Sequence, residues 1–125
     1  MCSGRVDPQF VMEAFAKGAD AVLIGGCHPG DCHYQEGNYK CLRRFHLLRR
    51  MLKDLGIEED RLRLEWSSAS EGERVKTVVN DLVGKIVLLG PLGVPRRLAE
   101  WDREIEELAH GVEQQTKEEV TAHAR

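Results

Sequence analysis

The stretch from Ala21 to Tyr34, "AVLIGGCHPGDCHY", joins a short apolar run to a loop rich in glycine, cysteine and histidine. A continuous apolar run of strand length predicts a parallel β-strand that is covered on both faces. In parallel α/β folds, ligands bind at the carboxyl ends of the strands, where the loops open. The loop that follows this strand is therefore the first candidate for a functional site.

Helical patterns lie on both sides of this strand in the sequence. Asp7 followed by Pro8 is typical of a helix start, and the apolar spacing after it predicts a short helix that ends at Gly18. Apolar residues then recur every three or four positions from about Asn38 to Leu55, which predicts a longer helix. Its polar face carries a basic stretch: Arg43, Arg44, Arg49, Arg50 and Lys53. We expect a solvated face or a docking surface for an acidic partner there.

Residues 61–66 predict a second strand, because charged residues alternate with leucine and tryptophan there. The alternation suits a strand with one exposed face, near the sheet edge. Ser70 and Glu73 form the pattern of a capping box, which predicts that a third helix begins there and ends near Gly90. Strands that alternate with helices predict an α/β fold, a small three-layer parallel sheet with helices on both faces, plus a C-terminal helical extension.

We expect two parts, an α/β domain over residues 1–91 and a partly disordered helical tail over residues 92–125. The tail contains an amphipathic docking helix, marked by Leu98, Trp101, Ile105 and Leu108, and then a polar end that we expect to be frayed. At the other terminus, the cysteine at position 2 precedes a capped helix as a strand-to-helix loop would, yet no strand comes before it. We therefore expect an upstream segment to be missing.

The composition describes a globular chain, with 125 residues, 42% of them hydrophobic and 31% charged. A net charge of −3 gives no overall attraction to nucleic acid. The longest apolar runs are shorter than the roughly 20 residues that span a bilayer, and no signal peptide is visible. We therefore expect a cytoplasmic protein that binds neither nucleic acid nor membrane. In that compartment, four cysteines favour metal ligation or thiol chemistry over structural disulfides.

Three of these cysteines lie in predicted strand-to-helix loops: Cys2, Cys27 and Cys32. The ends of neighbouring parallel strands meet at one edge of a sheet, so we expect the three thiols to converge and to be the metal and cofactor ligands. Cys41 falls on the longer helix, where packing in the core is expected more than ligation. His28 and His33 could also bind a metal, but histidines in such loops more often form hydrogen bonds.

The loop composition favours an iron–sulfur cluster, because glycines let the backbone approach an inorganic core closely. Four residues separate Cys27 from Cys32, a spacing found in plant-type [2Fe–2S] proteins, although zinc sites overlap it. A dithiol that cycles through a disulfide is a further alternative. No nucleophile with a partnered base is evident, so the sequence predicts no catalytic residue and leaves open whether the chain is an enzyme.

The sequence closely resembles the delta subunit of methyl-viologen-reducing hydrogenase. Members of this family are small iron–sulfur proteins, which are also found fused or bound to the A-type flavin subunit of heterodisulfide reductase. The resemblance covers roughly Met1 to Pro91 and rests on three long motifs, "CSGRVDP", "GCHPGDCHY" and "EWSSASEGE". The family implies one [2Fe–2S] cluster, with Cys2, Cys27 and Cys32 at the positions of the motif cysteines. Cys41 lies outside the motifs.

The resemblance also implies a role and its partners. Members of the family relay electrons from a hydrogenase or formate dehydrogenase to the flavin subunit of heterodisulfide reductase, an oxidoreductase system of methanogenesis. The family typically has an upstream strand and loop with a C-x-x-C pair, which this sequence does not show before Met1. The fourth cluster ligand is therefore expected from Cys41, from a lost segment or from a partner. The alternative is a truncated, non-redox assembly module that carries zinc or no metal.

Overall fold

The structure is a computed structural model that describes the backbone of residues 2–123 and the side chains of residues 2–117, 121 and 122. Its elements follow the order 3₁₀ turn (Ser3–Arg5), α1 (Pro8–Ala16), β1 (Val22–Gly26), α2 (Gly37–Asp54), 3₁₀ turn (Glu59–Arg61), β2 (Leu62–Trp66), α3 (Gly72–Leu89) and α4 (Val94–His123). The chain divides into two compact units, one that ends at Leu92 and one that begins at Gly93.

The sheet of the first unit has two parallel strands within the described residues. Val22 pairs with Leu62 at one end of the ladder and Gly26 pairs with Trp66 at the other. Helix α2 forms the crossover between the strands, as a parallel connection requires. Because the strands run the same way, the loops after Gly26 and Trp66 leave the sheet at the same edge.

The main core lies on the sheet face that α1 and α2 cover. Its buried members are Val11, Phe15, Ile24, Cys41, Phe45, Leu48, Leu52, Ile57 and Leu62. Side chains of β2 that point the other way meet α3 instead: Arg63 pairs with Asp81 at 2.5 Å, and Glu65 pairs with Arg74 at 2.9 Å. Helices therefore cover both faces, which confirms the predicted α/β fold.

The helix starts agree with the sequence at α1 and differ at α3. Asp7 accepts a hydrogen bond from the backbone N–H of Gln9 at 2.9 Å, as its position before Pro8 predicts. The predicted capping box at α3 is wrong, because the Ser70 hydroxyl contacts the Ser68 hydroxyl at 3.0 Å rather than the helix. Helix α3 begins two residues later, at Gly72.

The charged–apolar alternation predicted that Arg61 lies on the exposed face of a strand, and the structure shows that it does not. It ends a 3₁₀ turn and is 1% exposed. Its guanidinium donates to the Glu58 carboxylate at 2.6 Å and to the backbone carbonyls of Asp20 at 3.1 Å and Gly90 at 2.9 Å. Burial is tolerated because these acceptors replace water.

Helix α4 continues to His123, further than the predicted amphipathic pattern. Partial disorder of the tail stays a prediction. Within the described residues, no single helix is long and apolar enough to cross a bilayer, and α3 and α4 meet that criterion of length and composition only when taken together as a broken pair.

Candidate functional site

The 3₁₀ turn that carries Cys2 packs against the first turn of α2. Backbone contact between them is so close that a Cβ atom on Gly4 would lie 2.8 Å from the Cα atom of Gly37. Arg44 of α2 fixes the turn from the side, since its guanidinium donates to the Gly4 carbonyl at 2.7 Å. The predicted basic face of α2 thus includes one arginine with an internal structural role.

The loop after β1 is held by Asn38, which is 1% exposed at the start of α2. Its side-chain amide donates to the His28 carbonyl at 3.1 Å, and its side-chain oxygen accepts from the backbone N–H of Tyr39 at 3.0 Å. A buried amide with both partners satisfied fixes the loop path. Asn38 therefore positions the segment that carries the cysteines.

Two of the three predicted ligands come together in this arrangement. The sulfur atoms of Cys2 and Cys32 lie 3.5 Å apart. Two thiolates bound to one tetrahedral metal at about 2.3 Å would be separated by about 3.8 Å, so the pair is close to the spacing of two ligands on one ion. A Cβ atom on Gly37 would overlap the Cys2 sulfur and approach the Cys32 sulfur to 3.2 Å. Only glycine fits at this position.

The surroundings of Cys32 stabilise its thiolate. Burial raises the pKa of the Cys32 thiol, but the Cys2 thiol and the backbone amides of Tyr34, Asn38 and Gly37 lower it, and the net direction is downward. The amides of Gly37 and Asn38 belong to the start of α2, where unpaired N–H groups favour an anion. A lowered pKa favours the form of cysteine that binds metals.

The other cysteines lie in different surroundings. Cys27 is exposed, and the described residues contain no group of three or more histidine, cysteine or carboxylate side chains placed to hold a metal. The structure therefore brings Cys2 and Cys32 together without Cys27, and ligation by the three residues stays a prediction. Cys41 belongs to the core and is 2% exposed, which confirms its expected packing role; burial raises the pKa of its thiol.

His28 contacts a carboxylate rather than a sulfur. Its Nε2 lies 2.6 Å from Glu71 Oε2, and that carboxylate also accepts from the backbone N–H of Ser68 at 2.7 Å. The Ser68 amide and the His28 ring together hold the pKa of Glu71 at about 2. This contact links the loop after β1 to the segment that precedes α3. His33 packs edge-on against the Tyr34 ring.

An open cleft of about 1220 Å³ borders the thiol pair on the side of Cys2. Its walls are mainly apolar and basic, with the aromatic rings of Phe10 and Tyr34, the cations Lys40 and Arg44, and one carboxylate, Asp7. Both rings are more than 60% exposed. The cleft gives another polypeptide access to Cys2.

The sequence patterns did not predict two residues of this site, Gly37 and Asn38. The signal was present, because a Gly–Asn pair directly follows the cysteine loop and opens α2. Glycine at a helix start is unremarkable without knowledge of what packs on it. The requirement for glycine arises from the Cys2 turn, which is distant in sequence.

Fold and site together define a small α/β protein that has paired thiols at the carboxyl edge of a parallel sheet. Residues 1–90 match the family of the methyl-viologen-reducing hydrogenase delta subunit. This chain belongs to that family.

Individual relatives agree with the family match. The chain is 57% identical over 91 residues to the vhc iron-sulfur subunit of the F420-non-reducing hydrogenase of Methanococcus voltae, and the match covers 73% of this chain and 63% of that relative. It is 56% identical over 95 residues to the iron-sulfur subunit of the F420-non-reducing hydrogenase of Archaeoglobus profundus, covering 76% and 69%. The chain therefore spans slightly less than two thirds of the first of these relatives.

A longer protein contains a similar segment. The A-type subunit of the ferredoxin/F(420)H(2)-dependent CoB-CoM heterodisulfide reductase of Methanosarcina acetivorans is 44% identical over 93 residues, which are 74% of this chain and 12% of that protein. The same domain thus occurs in a component of hydrogenase and in a component of heterodisulfide reductase.

Proposed function

We propose that this chain is a cytoplasmic iron–sulfur subunit that relays electrons from a hydrogenase or formate dehydrogenase to the A-type flavin subunit of heterodisulfide reductase. The observation that carries the proposal is the contact between the Cys2 and Cys32 sulfurs at 3.5 Å, beside a glycine that leaves room for both. The names of the relatives support the partners, because the similar segment occurs in components of both enzymes. The chain has no substrate chemistry of its own in this role.

The proposed cofactor is a [2Fe–2S] cluster, which when bound would supply one-electron transfer. Cys2 and Cys32 would hold the cluster, and Cys27 would be the third ligand, as the family motif implies. A rearrangement of the exposed loop would have to bring Cys27 to the pair. The fourth ligand would come from Cys41, from another segment or from a partner, and the cleft beside Cys2 gives a partner access.

The residues of this chain would tune such a cluster through hydrogen bonds and burial. Backbone amides at the start of α2 point toward the Cys32 sulfur, and amide donors to ligand sulfurs change the potential of a cluster. Asn38 holds the cysteine loop next to these amides through its hydrogen bond to the His28 carbonyl. The exposed aromatic rings of the cleft provide an apolar surface for docking.

Anaerobic reconstitution with iron and sulfide tests the proposal. We expect iron and sulfide in the purified chain, a visible absorption band and an EPR signal after reduction. Cys2→Ser and Cys32→Ser should lose most of the iron, whereas Ser70→Ala, at an exposed position outside the thiol site, should keep it. Cys41→Ala shows whether Cys41 is the fourth ligand, because iron is lost only if it is. A chain that takes up one zinc and no iron under these conditions would contradict the proposal.

A second candidate is a non-redox assembly module that holds zinc or no metal. Two thiols at this separation suit a tetrahedral zinc ion equally well, and the described residues place no third ligand beside them. A pull-down with the A-type flavin subunit of heterodisulfide reductase separates the two. Equal capture by the parent chain, Cys27→Ser and Cys32→Ser, without iron in the complex, would favour the assembly module.

A further inference from the structure

Helix α4 carries a stripe of exposed apolar side chains that alternate three and four residues apart: Leu98, Trp101, Ile105, Leu108 and Val112. Their exposed fractions range from 37% at Leu98 to 71% at Leu108. Alternating spacings of three and four define the a and d positions of a heptad, whose period of about 3.5 residues suits contact with another helix along its length. The stripe therefore has the form of a coiled-coil seam.

We propose that α4 pairs with α4 of a second copy of this chain as a parallel, two-stranded coiled coil. The a positions hold Leu98, Ile105 and Val112, and the d positions hold Trp101 and Leu108. Ile105 and Val112 at a and Leu108 at d follow the pattern of β-branched a and leucine d residues that favours two strands over three or four. Gln115 occupies the next d position and ends the apolar seam.

Charges beside the seam complement a second copy in the parallel orientation. Arg97 occupies a g position and Asp102 the e position five residues later. In a parallel pair, each g residue faces the e residue of the following heptad on the other helix. Arg97 of each copy would therefore face Asp102 of the other, which gives two ion pairs by symmetry. The later g and e positions hold no like-charged pair, since Glu104 faces Ala109.

Antiparallel pairing of the same helices is less favourable in either register that aligns the seam. In the register that pairs Leu98 with Leu108, Asp102 and Glu104 each lie opposite their own counterparts, and like charges repel. In the register that pairs Ile105 with Leu108, Leu98 faces the polar Gln115. Only the parallel arrangement combines a fully apolar seam with opposite charges beside it.

The polar face of α4 argues against a lipid surface as the occupant. Helices that lie on anionic membranes carry a lysine- and arginine-rich polar face. Acidic residues outnumber basic ones between Val94 and Lys117, so such a surface would repel this helix. The family match ends at residue 90, before α4 begins, and the pairing is independent of whether the thiols hold a cluster.

Sedimentation equilibrium of the 125-residue chain over about 1 μM to about 1 mM tests the pairing. We expect a monomer–dimer equilibrium. Ile105→Asp places two carboxylates in the seam and should raise the dissociation constant at least about 100-fold. His110→Asp introduces the same charge at an f position, away from the seam, and should leave association unchanged. Circular dichroism of both variants checks that the helix persists.

A charge exchange tests the orientation. Arg97→Glu and Asp102→Arg should each raise the dissociation constant about 5- to 10-fold, because two attractive pairs become repulsive, and the double variant should restore it. Arg103→Glu, at an f position, is the charge-matched control. A parent chain that stays monomeric at the highest concentration would overturn the proposal. Equal dissociation constants for the parent chain and the Ile105→Asp variant would overturn it as well. Failure of the double variant to restore association would overturn the parallel orientation.

Discussion

Gly37 decides whether the two thiols can meet. The Cys2 sulfur occupies the space that a Cβ atom at this position would take, and the Gly4 backbone lies beside it. Any side chain at Gly37 would therefore clash with the Cys2 sulfur. The thiol pair therefore depends on a residue with no chemistry of its own.

Replacing this glycine tests the geometry without any metal. In the parent chain, mild oxidation with diamide should form a Cys2–Cys32 disulfide, because the sulfurs are 3.5 Å apart and a bond of about 2.05 Å needs only a small shift. Gly37→Ala should slow that reaction strongly. Gly25→Ala is the control, since a Cβ atom there meets nothing within 4 Å. Peptide mass mapping reports the pair formed; preferential pairing through Cys27 would contradict the structure.

The sequence predicted part of this site for a clear reason. The strand-to-helix position of Cys2 and Cys32 follows from local patterns and from the rule that parallel strands open at one edge. The exposure of Cys27 does not follow, because two cysteines in one short loop can point in different directions. Asn38 and Gly37 were missed since their partners, His28 and Cys2, come from other segments.

At the scale of elements, α3 contains a glycine that its helix does not require. Gly84 lies in the helix interior, and a Cβ atom there would meet nothing within 4 Å. Gly84→Ala should raise the free energy of unfolding by about 0.5–1 kcal/mol, because alanine loses less backbone entropy in a helix.

Gly90 ends the same helix, and replacing it by alanine should lower the free energy of unfolding rather than raise it. Its φ of +79° lies in the region that favours glycine, so Gly90→Ala should lower the stability by about 1 kcal/mol. Urea unfolding of both variants measures the difference. Equal effects of the two substitutions would contradict the assigned helix end.

The link between the cysteine loop and the start of α3 should weaken in acid. The folded pKa of Glu71 is about 2, below its ordinary value of 4.5, so its ionised form stabilises the fold above about pH 4.5 and this contribution is lost as the pH falls toward 2. Glu71→Gln should remove that share of the acid sensitivity, seen in urea midpoints across this range. Glu73→Gln is the control, because its side chain is 93% exposed. A parallel pH profile for parent and Glu71→Gln would contradict the link.

At the scale of the whole molecule, one buried arginine joins segments that are far apart in the first unit. Arg61 connects the segment before β1, the end of α3 and the turn before β2. Arg61→Ala should lower the free energy of unfolding by about 2–4 kcal/mol, because two backbone carbonyls lose their donor in the interior. Arg50→Ala, at an exposed position of α2, should change it by less than about 0.5 kcal/mol. Thermal and urea unfolding measure both, and similar losses would contradict the role of Arg61.

The order of elements was predictable because apolar spacing, caps and glycine stops are local signals, and α1, β1, α2 and β2 follow them closely. The burial of Arg61 was not predicted, because a charged residue in an alternating stretch is typical of an exposed strand face. Its three acceptors come from other segments of the chain or from the preceding turn, and the alternation gives no sign of them. The start of α3 was misplaced because Glu71 bonds to Ser68 and leaves Ser70 outside the helix. Non-local contacts thus account for the main structural differences.

The parallel connection through α2 also has a kinetic consequence. Register partners such as Val22 and Leu62 are 40 positions apart in the chain, so no tight hairpin can nucleate the sheet. The entropy of closing that long segment has to be overcome before any strand pairing is gained, which makes folding slower than in proteins built from neighbouring contacts. Newly synthesised chains would consequently expose the apolar side chains of both strands until the strands have paired and α2 has packed on the sheet.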